Sequence, residues 1–349
     1  FGYISDIYGR KRALSISILA MAIPTALISI TPGYNTIGIL APILITILRM
    51  TQGLVASTEF TNSAIFLVEH APAKSKALYG CLTSSAYSLG MVFAGIIASF
   101  LTSNFMPHWG WRIGFAISIL GGLIVFFLRK HVEESPEFIF RETSPSYLEL
   151  FKETLKTTSL SFFSVIGIAW FVGIITFGTF VFLPNYLHAY HGIPLSKAIL
   201  FTTIGLIIDA SLEPLVASYS DRKGFKKVMS IGMAGFIVLS LPLFYLLQSD
   251  NPLWIFVSVV SLSSLIAISY APLNAYMVSL FPPHLRATGF GVAFNLGITL
   301  FGGTAPFVLS WLAKTHGSLS PAIYYITGSI IALSSVGVSE KKLITYQKG

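Results

Sequence analysis

Charge is what this sequence has least of: Asp, Glu, Lys and Arg make up 10% of its 349 residues, where a soluble domain carries about 25%. A chain so poor in charge cannot cover a water-facing surface. Cysteine is nearly absent as well. Cys81 stands alone, which excludes an intrachain disulfide and leaves no mark of an oxidising compartment. No cleavable signal peptide, nucleophilic triad, phosphate-cradling loop or zinc spacing is present. Acids are scarcer than bases, 14 against 22, for a net charge of +8. That excess does not point to nucleic acid, because the cations sit in short stretches between apolar runs, where they report membrane orientation.

What abounds is apolar sequence, 54% of the residues, with a mean hydropathy of +0.76. The 29 glycines and 17 prolines fit membrane helices, in which both are commoner than in soluble ones. The fold class is therefore an all-α polytopic membrane protein. A spanning helix needs about 20 mostly apolar residues, and ten such runs are present. They cover roughly Ala13 to Thr31, Ile39 to Val68, Leu78 to Leu101, Arg112 to Leu128, Thr157 to Leu183, Ser196 to Tyr219, Val228 to Leu247, Leu253 to Phe281, Thr288 to Ala313 and Ala322 to Val338. The charged interval 129–156 reads as a linker between a first half, 1–128, and a second half, 157–338; a short basic tail, 339–349, closes the chain.

The halves repeat one another. Gly2, Asp6, Gly9, Arg10, Lys11 and Arg12 form a charged hinge that returns as Ala217, Asp221, Arg222, Lys223, Gly224 and Lys226–Lys227, offset by 215 residues. A second turn, Pro72-Ala73-Lys74-Ser75-Lys76-Ala77, returns as Pro282-Pro283-His284-Leu285-Arg286-Ala287, offset by 210. Parallel repeats of this kind are a transporter architecture with the substrate path between them near the midplane. The second half has six spans and the first four, so two helices are expected before Phe1, for twelve in all; a non-methionine start fits an N-terminal truncation. With this alternation, 18 of the 22 cations fall on one side; Arg49, Arg112, Lys197 and Lys314 are the others. The positive-inside rule then puts both hinges, the linker and the C-terminus in the cytoplasm.

The hinge Gly2-x-x-x-Asp6-x-x-Gly9-Arg10-Lys11 resembles the one between spans two and three of the major facilitator superfamily. Within it, Arg49-Met50-Thr51-Gln52-Gly53, Glu59-Phe60, Glu69-His70-Ala71-Pro72, Trp109-Gly110-Trp111-Arg112 and Glu134-Ser135-Pro136-Glu137-Phe138 are similar to the metabolite:proton symporters, bacterial carriers of proline and betaine or of organic acids. The resemblance covers the whole chain. Departures are Ala217 and Phe225 in the second hinge, Ser57 and Thr58 before Glu59, Glu213 where glutamine is usual, and Ser279 where a glutamate is usual. It implies the major facilitator fold, ten of twelve helices, in two pseudo-symmetric halves. It also implies a proton-coupled symporter for a small polar metabolite, multi-pass in a bacterial inner membrane, with no cofactor beyond the proton, a small-molecule substrate and the bilayer as partners, and no enzymatic activity. A sensor or enzyme on the same scaffold, or an uncoupled facilitator, is the alternative.

Buried charges nominate the working residues. Glu59 lies ten residues from its helix end, about 15 Å deep, and Gln52, Ala56, Glu59 and Ser63 fall on one stripe with Arg49 about 60° aside. Such a stripe is expected to face a cavity, with Glu59 as a proton-coupling group, unless a neighbouring helix merely satisfies it. Arg49 must be paired: to carbonyls, to a substrate anion or to Glu59. Asp209 and Glu213 share a helix face with Thr202 and form a second candidate pair, coupling or structural. From the resemblance, Asp6 caps a helix of the opposite half while Arg10 pairs with Glu69, a latch holding one conformation; the alternative is a solvated loop that only sets topology. Asp221, Arg222 and Gly224 form the twin, which has Ser279 in place of a carboxylate. Ser84, Tyr87, Trp170, Tyr270, Asn274, Tyr276 and Asn295 are weaker candidates, more often packing. Gly302 to Pro306 marks a break in its span.

Overall fold

The computed structural model describes residues 2–101, 106–138 and 145–346, apart from the side chains of Ser57, Ser99 and 340–346. Arg141, Ser144 and Lys348, assigned above to the linker and tail, lie outside the described residues, as do the side chains of Ser57, Lys341 and Lys342. Every regular element among the described residues is helical. In chain order these are α1 (Gly2–Tyr8), α2 (Arg10–Ile30), α3 (Tyr34–Ile37), α4 (Leu40–His70), α5 (Lys76–Leu101), α6 (Trp111–Lys130), α7 (Tyr147–Phe177), α8 (Leu183–His191), α9 (Leu195–Lys223), α10 (Phe225–Leu246), α11 (Pro252–Tyr270), α12 (Leu273–Ser279), α13 (Arg286–Gly297), α14 (Ala305–His316) and α15 (Pro321–Tyr346). Ten helical stretches are long and apolar enough to cross a membrane, each overlapping one of the ten runs read from the sequence.

Several boundaries differ from that reading, two of them at the linker and the tail. The linker was drawn to residue 156, yet α7 begins at Tyr147, because Ser146 accepts from the Glu149 N–H while the Glu149 carboxylate accepts from the Ser146 N–H. This reciprocal cap satisfies two donors that a helix start otherwise leaves open. Thr158 breaks the helical backbone before the apolar part of α7. At the other end, α15 continues to Tyr346 rather than stopping at Val338.

α2 packs between α4 and α6, while α7 runs between α13 and α15. Phe171, Phe236, Phe290 and Tyr325, each fully buried, fill the interior of the last six spans. The first four spans meet the last six where α5 lies along α9 and where α4 meets α12 and α13. Two π-helical turns, Gly178–Phe182 and Ile298–Gly302, interrupt the spans built on α7 and α13. The Trp170 ring stacks on Phe301 beside the second at 3.9 Å, and its indole N–H donates to the Tyr324 hydroxyl at 3.2 Å. Such turns are rare and are often found at functional sites.

Candidate functional site

Both hinges adopt one backbone shape. Gly9 and Gly224 have φ of 98° and 96°, a region that a side chain makes costly. Each lets a helix turn sharply into the next, aiming an acid back across the bundle. Asp6 accepts from the N–H groups of Ala287 and Thr288 at 3.1 and 2.7 Å, at the start of α13. Asp221 accepts from those of Ala77 and Leu78 at 2.8 and 3.0 Å, at the start of α5. A carboxylate there satisfies open donors and sits on the positive end of the helix. Gly2 fits the same contact: a Cβ on it would come within 2.9 Å of the Ala287 carbonyl oxygen.

Around the first hinge the charges converge. Glu69 is 4% exposed and takes Arg10 Nε at 3.1 Å, Arg10 Nη2 at 3.2 Å and Arg286 Nη1 at 2.8 Å. Arg286 Nη1 also reaches Glu137 at 2.6 Å. The segment after α6 closes over them: Ser135 Oγ donates to Glu69, and Glu134 accepts from the Arg10 and Lys11 N–H groups at the start of α2. Among the described residues, no carboxylate at the second hinge gathers two arginines in this way. Arg222 is exposed with no acidic partner among the described residues, and Ser279 Oγ donates to the Tyr276 carbonyl at 2.6 Å.

Away from the hinges a central cleft of about 330 Å³ opens between α4, α5, α7, α11 and α13. Phe60, Tyr87, Phe177, Tyr270 and Phe294 line it, with Asn295, and no charged side chain is in its wall among the described residues. Phe60 stacks on Phe294 at 5.5 Å and meets Tyr87 edge-on at 6.3 Å. Behind Tyr87 and Tyr270 lie Asp209 and Glu213, 2% and 1% exposed. Glu213 accepts from Ser84 Oγ and Ser85 Oγ, both at 2.6 Å, and Asp209 from Ser88 Oγ at 2.9 Å. Both acids are on α9 and all three serines on α5, so the pair sits at the seam between the first four spans and the last six. No cation reaches either carboxylate among the described residues.

The hinge acids thus bridge the first four spans and the last six at two helix starts, with a cleft between the two groups of spans. The sequence profile of the Major Facilitator Superfamily matches residues 1–306. The chain belongs to that superfamily. Among curated relatives, the proline/betaine transporter of Escherichia coli (strain K12) is 29% identical over 367 residues, covering 98% of this chain and 71% of the relative. A Staphylococcus aureus (strain COL) protein assigned to the same class is 30% identical over 342 residues, covering 95% and 72%. Among solved structures, the proton:xylose symporter XylE superposes with a TM-score of 0.73 at 19% identity, covering 97% of this chain and 81% of that one. The E. coli fucose:proton symporter FucP gives 0.73 at 12%, covering 97% and 86%. At those identities the likeness to the structures is one of fold. This member of the superfamily is thus a multi-pass membrane transporter of a small molecule, not an enzyme.

The stripe predicted on α4 is split by the structure of this transporter. Ala56, with Gly53 and Phe60, lines the cleft. Gln52 and Glu59 turn away from it to α2, where Gln52 donates to Thr25 and Glu59 accepts from Ser17. The cation on Glu59 is Arg129 from the end of α6, not Arg49. Arg49 instead reaches Gln52 at 3.3 Å and lies over the Phe115 ring at 5.3 Å. Thr202 donates back to the Ile199 carbonyl at 3.0 Å. The partners that went unnamed, Arg129, Arg286, Ser85 and Ser88, carried only weak signals. Arg129 and Arg286 look like loop cations, and Ser84-Ser85 with Ser88 one turn on marks a polar strip in an otherwise apolar helix.

Glu59 in this geometry neutralises Arg129. The protein leaves 19% and 20% of the two side chains uncovered, so the loss of the pair is less severe than for a fully enclosed one. Glu59→Gln is expected to lower stability by about 1.5–3 kcal/mol, the scale of one charged hydrogen bond, and to retain solute uptake. Thermal unfolding in detergent and uptake into proteoliposomes measure the two. Abolished uptake at normal stability would assign Glu59 a part in transport rather than in packing alone.

Proposed function

We propose that the protein is a proton-coupled symporter for a zwitterionic osmolyte of the proline or betaine type, working in a bacterial cytoplasmic membrane by rocking one half against the other. The observation that carries this reading is the acid pair: two buried carboxylates, held among the described residues by serine hydroxyls alone, beside the aromatic cleft. A buried carboxylate is costly unless its charge is balanced. Here the balancing ion is the coupling proton, shared by Asp209 and Glu213 and exchanged as the seam between α5 and α9 opens.

The cleft narrows the choice of solute. An organic anion would need a cation, and none is among the described residues of the wall. Aromatic faces suit a substituted ammonium through their negative quadrupoles, and the acids behind Tyr87 and Tyr270 reinforce that preference. The substrate carboxylate is left to Asn295 and the tyrosine hydroxyls. The names of the curated relatives point to the same solutes. The hinge network is the latch that closes one end of the path, which the cation count makes the cytoplasmic end; Asp6, Arg10 and Glu69 hold one hinge, Asp221 the other.

The test is uptake of labelled betaine, proline and citrate by proteoliposomes under an imposed inward proton gradient. Betaine or proline accumulates and citrate does not. The double variant Asp209→Asn with Glu213→Gln loses accumulation by about tenfold or more while still exchanging solute across the membrane. Accumulation at the wild-type level in the double variant removes the pair from coupling. Uptake of citrate alone removes the zwitterion.

A further inference from the structure

Between the acid pair and the cleft lies a narrow void with room for about one water molecule. Tyr87, Thr176 and Tyr270 line both this void and the cleft, so they form the wall between the two. Two residues that line the void each carry an enclosed oxygen without a hydrogen-bond partner among the described residues: Asp209 Oδ1 and Thr176 Oγ1. Asp209 is 2% exposed and its other oxygen is already taken by Ser88. Orphaned buried oxygens are costly. Two of them facing one water-sized space are the partners that a buried water requires.

We propose that this void is a water site through which the coupling proton passes between the central cleft and Asp209, with Thr176 positioning the water and Tyr87 and Tyr270 forming the valve. It rests on Asp209 and Glu213 being the coupling pair. The water gives a proton to Asp209 Oδ1 as it takes one from the cleft side. One O–H bond forms for each that breaks, and no charge stays on the water. Tyr87 is half exposed to the cleft and stacks edge-on against Phe60, so a solute that moves Phe60 also moves the valve. Glu213 is held by Ser84 and Ser85 and receives the proton from Asp209 one helical turn away. The other titratable groups near the pair are the tyrosines of the wall and the thiol of Cys81.

Thr176→Val keeps the shape of the side chain and removes the hydroxyl. The measurement is the ratio of proton-driven uptake to solute exchange in the same proteoliposomes, with a pH-sensitive dye inside them. The ratio is expected to fall about tenfold, the equivalent of one lost buried hydrogen bond, and to recover in Thr176→Ser. Tyr270→Phe is expected to lower the same ratio and serves where the valine variant does not assemble. An unchanged ratio in both variants, or equal loss of both fluxes, overturns the water route. The double variant Asp209→Asn with Glu213→Gln separates the two readings. If it still couples, the acid pair is not the carrier; if it does not couple while Thr176→Val does, only the water route fails.

Discussion

Glu69→Gln is expected to cut solute uptake by more than about tenfold, whereas Arg222→Gln at the twin position costs about twofold or less. The difference follows from what each residue touches. Glu69 takes one guanidinium from the hinge after α1 and another from the start of α13, and all three side chains are nearly shut off from water. An amide can still accept, but it carries no charge, so it leaves two buried cations sharing what remains. Asp6 stays 3.4 Å from Arg10 and Glu137 stays 2.6 Å from Arg286. Neither replaces a carboxylate lying between the two cations. Breaking a buried ion pair by removing one partner costs roughly 3–5 kcal/mol.

Under the proposed latch that cost falls on the latched conformation alone, because in a state where α1 and α13 have parted the same arginines meet water. A bias of this size all but empties one of the two states that the cycle must visit. Arg222 holds nothing comparable: it is exposed, and Ser279 turns to its own helix. Initial uptake rates at matched membrane expression decide the matter. Equal losses in the two variants would mean that the latch is symmetric.

The parts of this design that recur in the sequence were legible there. Hinges at Gly9 and Gly224 announce themselves because a positive φ needs glycine and a helix start accepts an acid. The spans are legible because length and apolarity set them. What an amphipathic stripe does not report is the rotation of its helix against neighbours. Glu59 and Ala56 share a stripe, yet Ala56 faces the cleft while Glu59 faces α2, because the stripe is wide enough to be divided between two surfaces. Arg286 meeting Glu69 is invisible for a different reason. The two are 217 residues apart, and only the docking of α13 against α1 and α4 brings them together. Ser146 and Glu149 were legible in principle as a helix-start pair, but the charges around them gave the stretch the look of a linker.

Acidification is expected to favour the latched conformation through Asp6. Burial pushes its carboxyl from 3.8 up to about 6, against the opposing pull of the Arg10 guanidinium and the N–H groups of Thr288 and Ala287. Glu69 and Glu134 are the other acids around that hinge, both bonded to Arg10. When α1 and α13 part, Asp6 meets water and returns to the ordinary carboxylate range. The latched state therefore binds this proton more tightly, and its advantage is full below 3.8 and lost as pH rises through about 6. The difference amounts to about 3 kcal/mol at most, since each decade of proton affinity is worth about 1.4 kcal/mol. Spin labels at Lys74 and Lys223, on opposite sides of the seam, report the latched fraction as a distance distribution. Between pH 4 and 7 the short-distance population is expected to shrink in the wild type and to hold nearly constant in Asp6→Asn, whose amide cannot titrate. Identical pH profiles in the two proteins would show that another group, not Asp6, senses the proton at the hinge end.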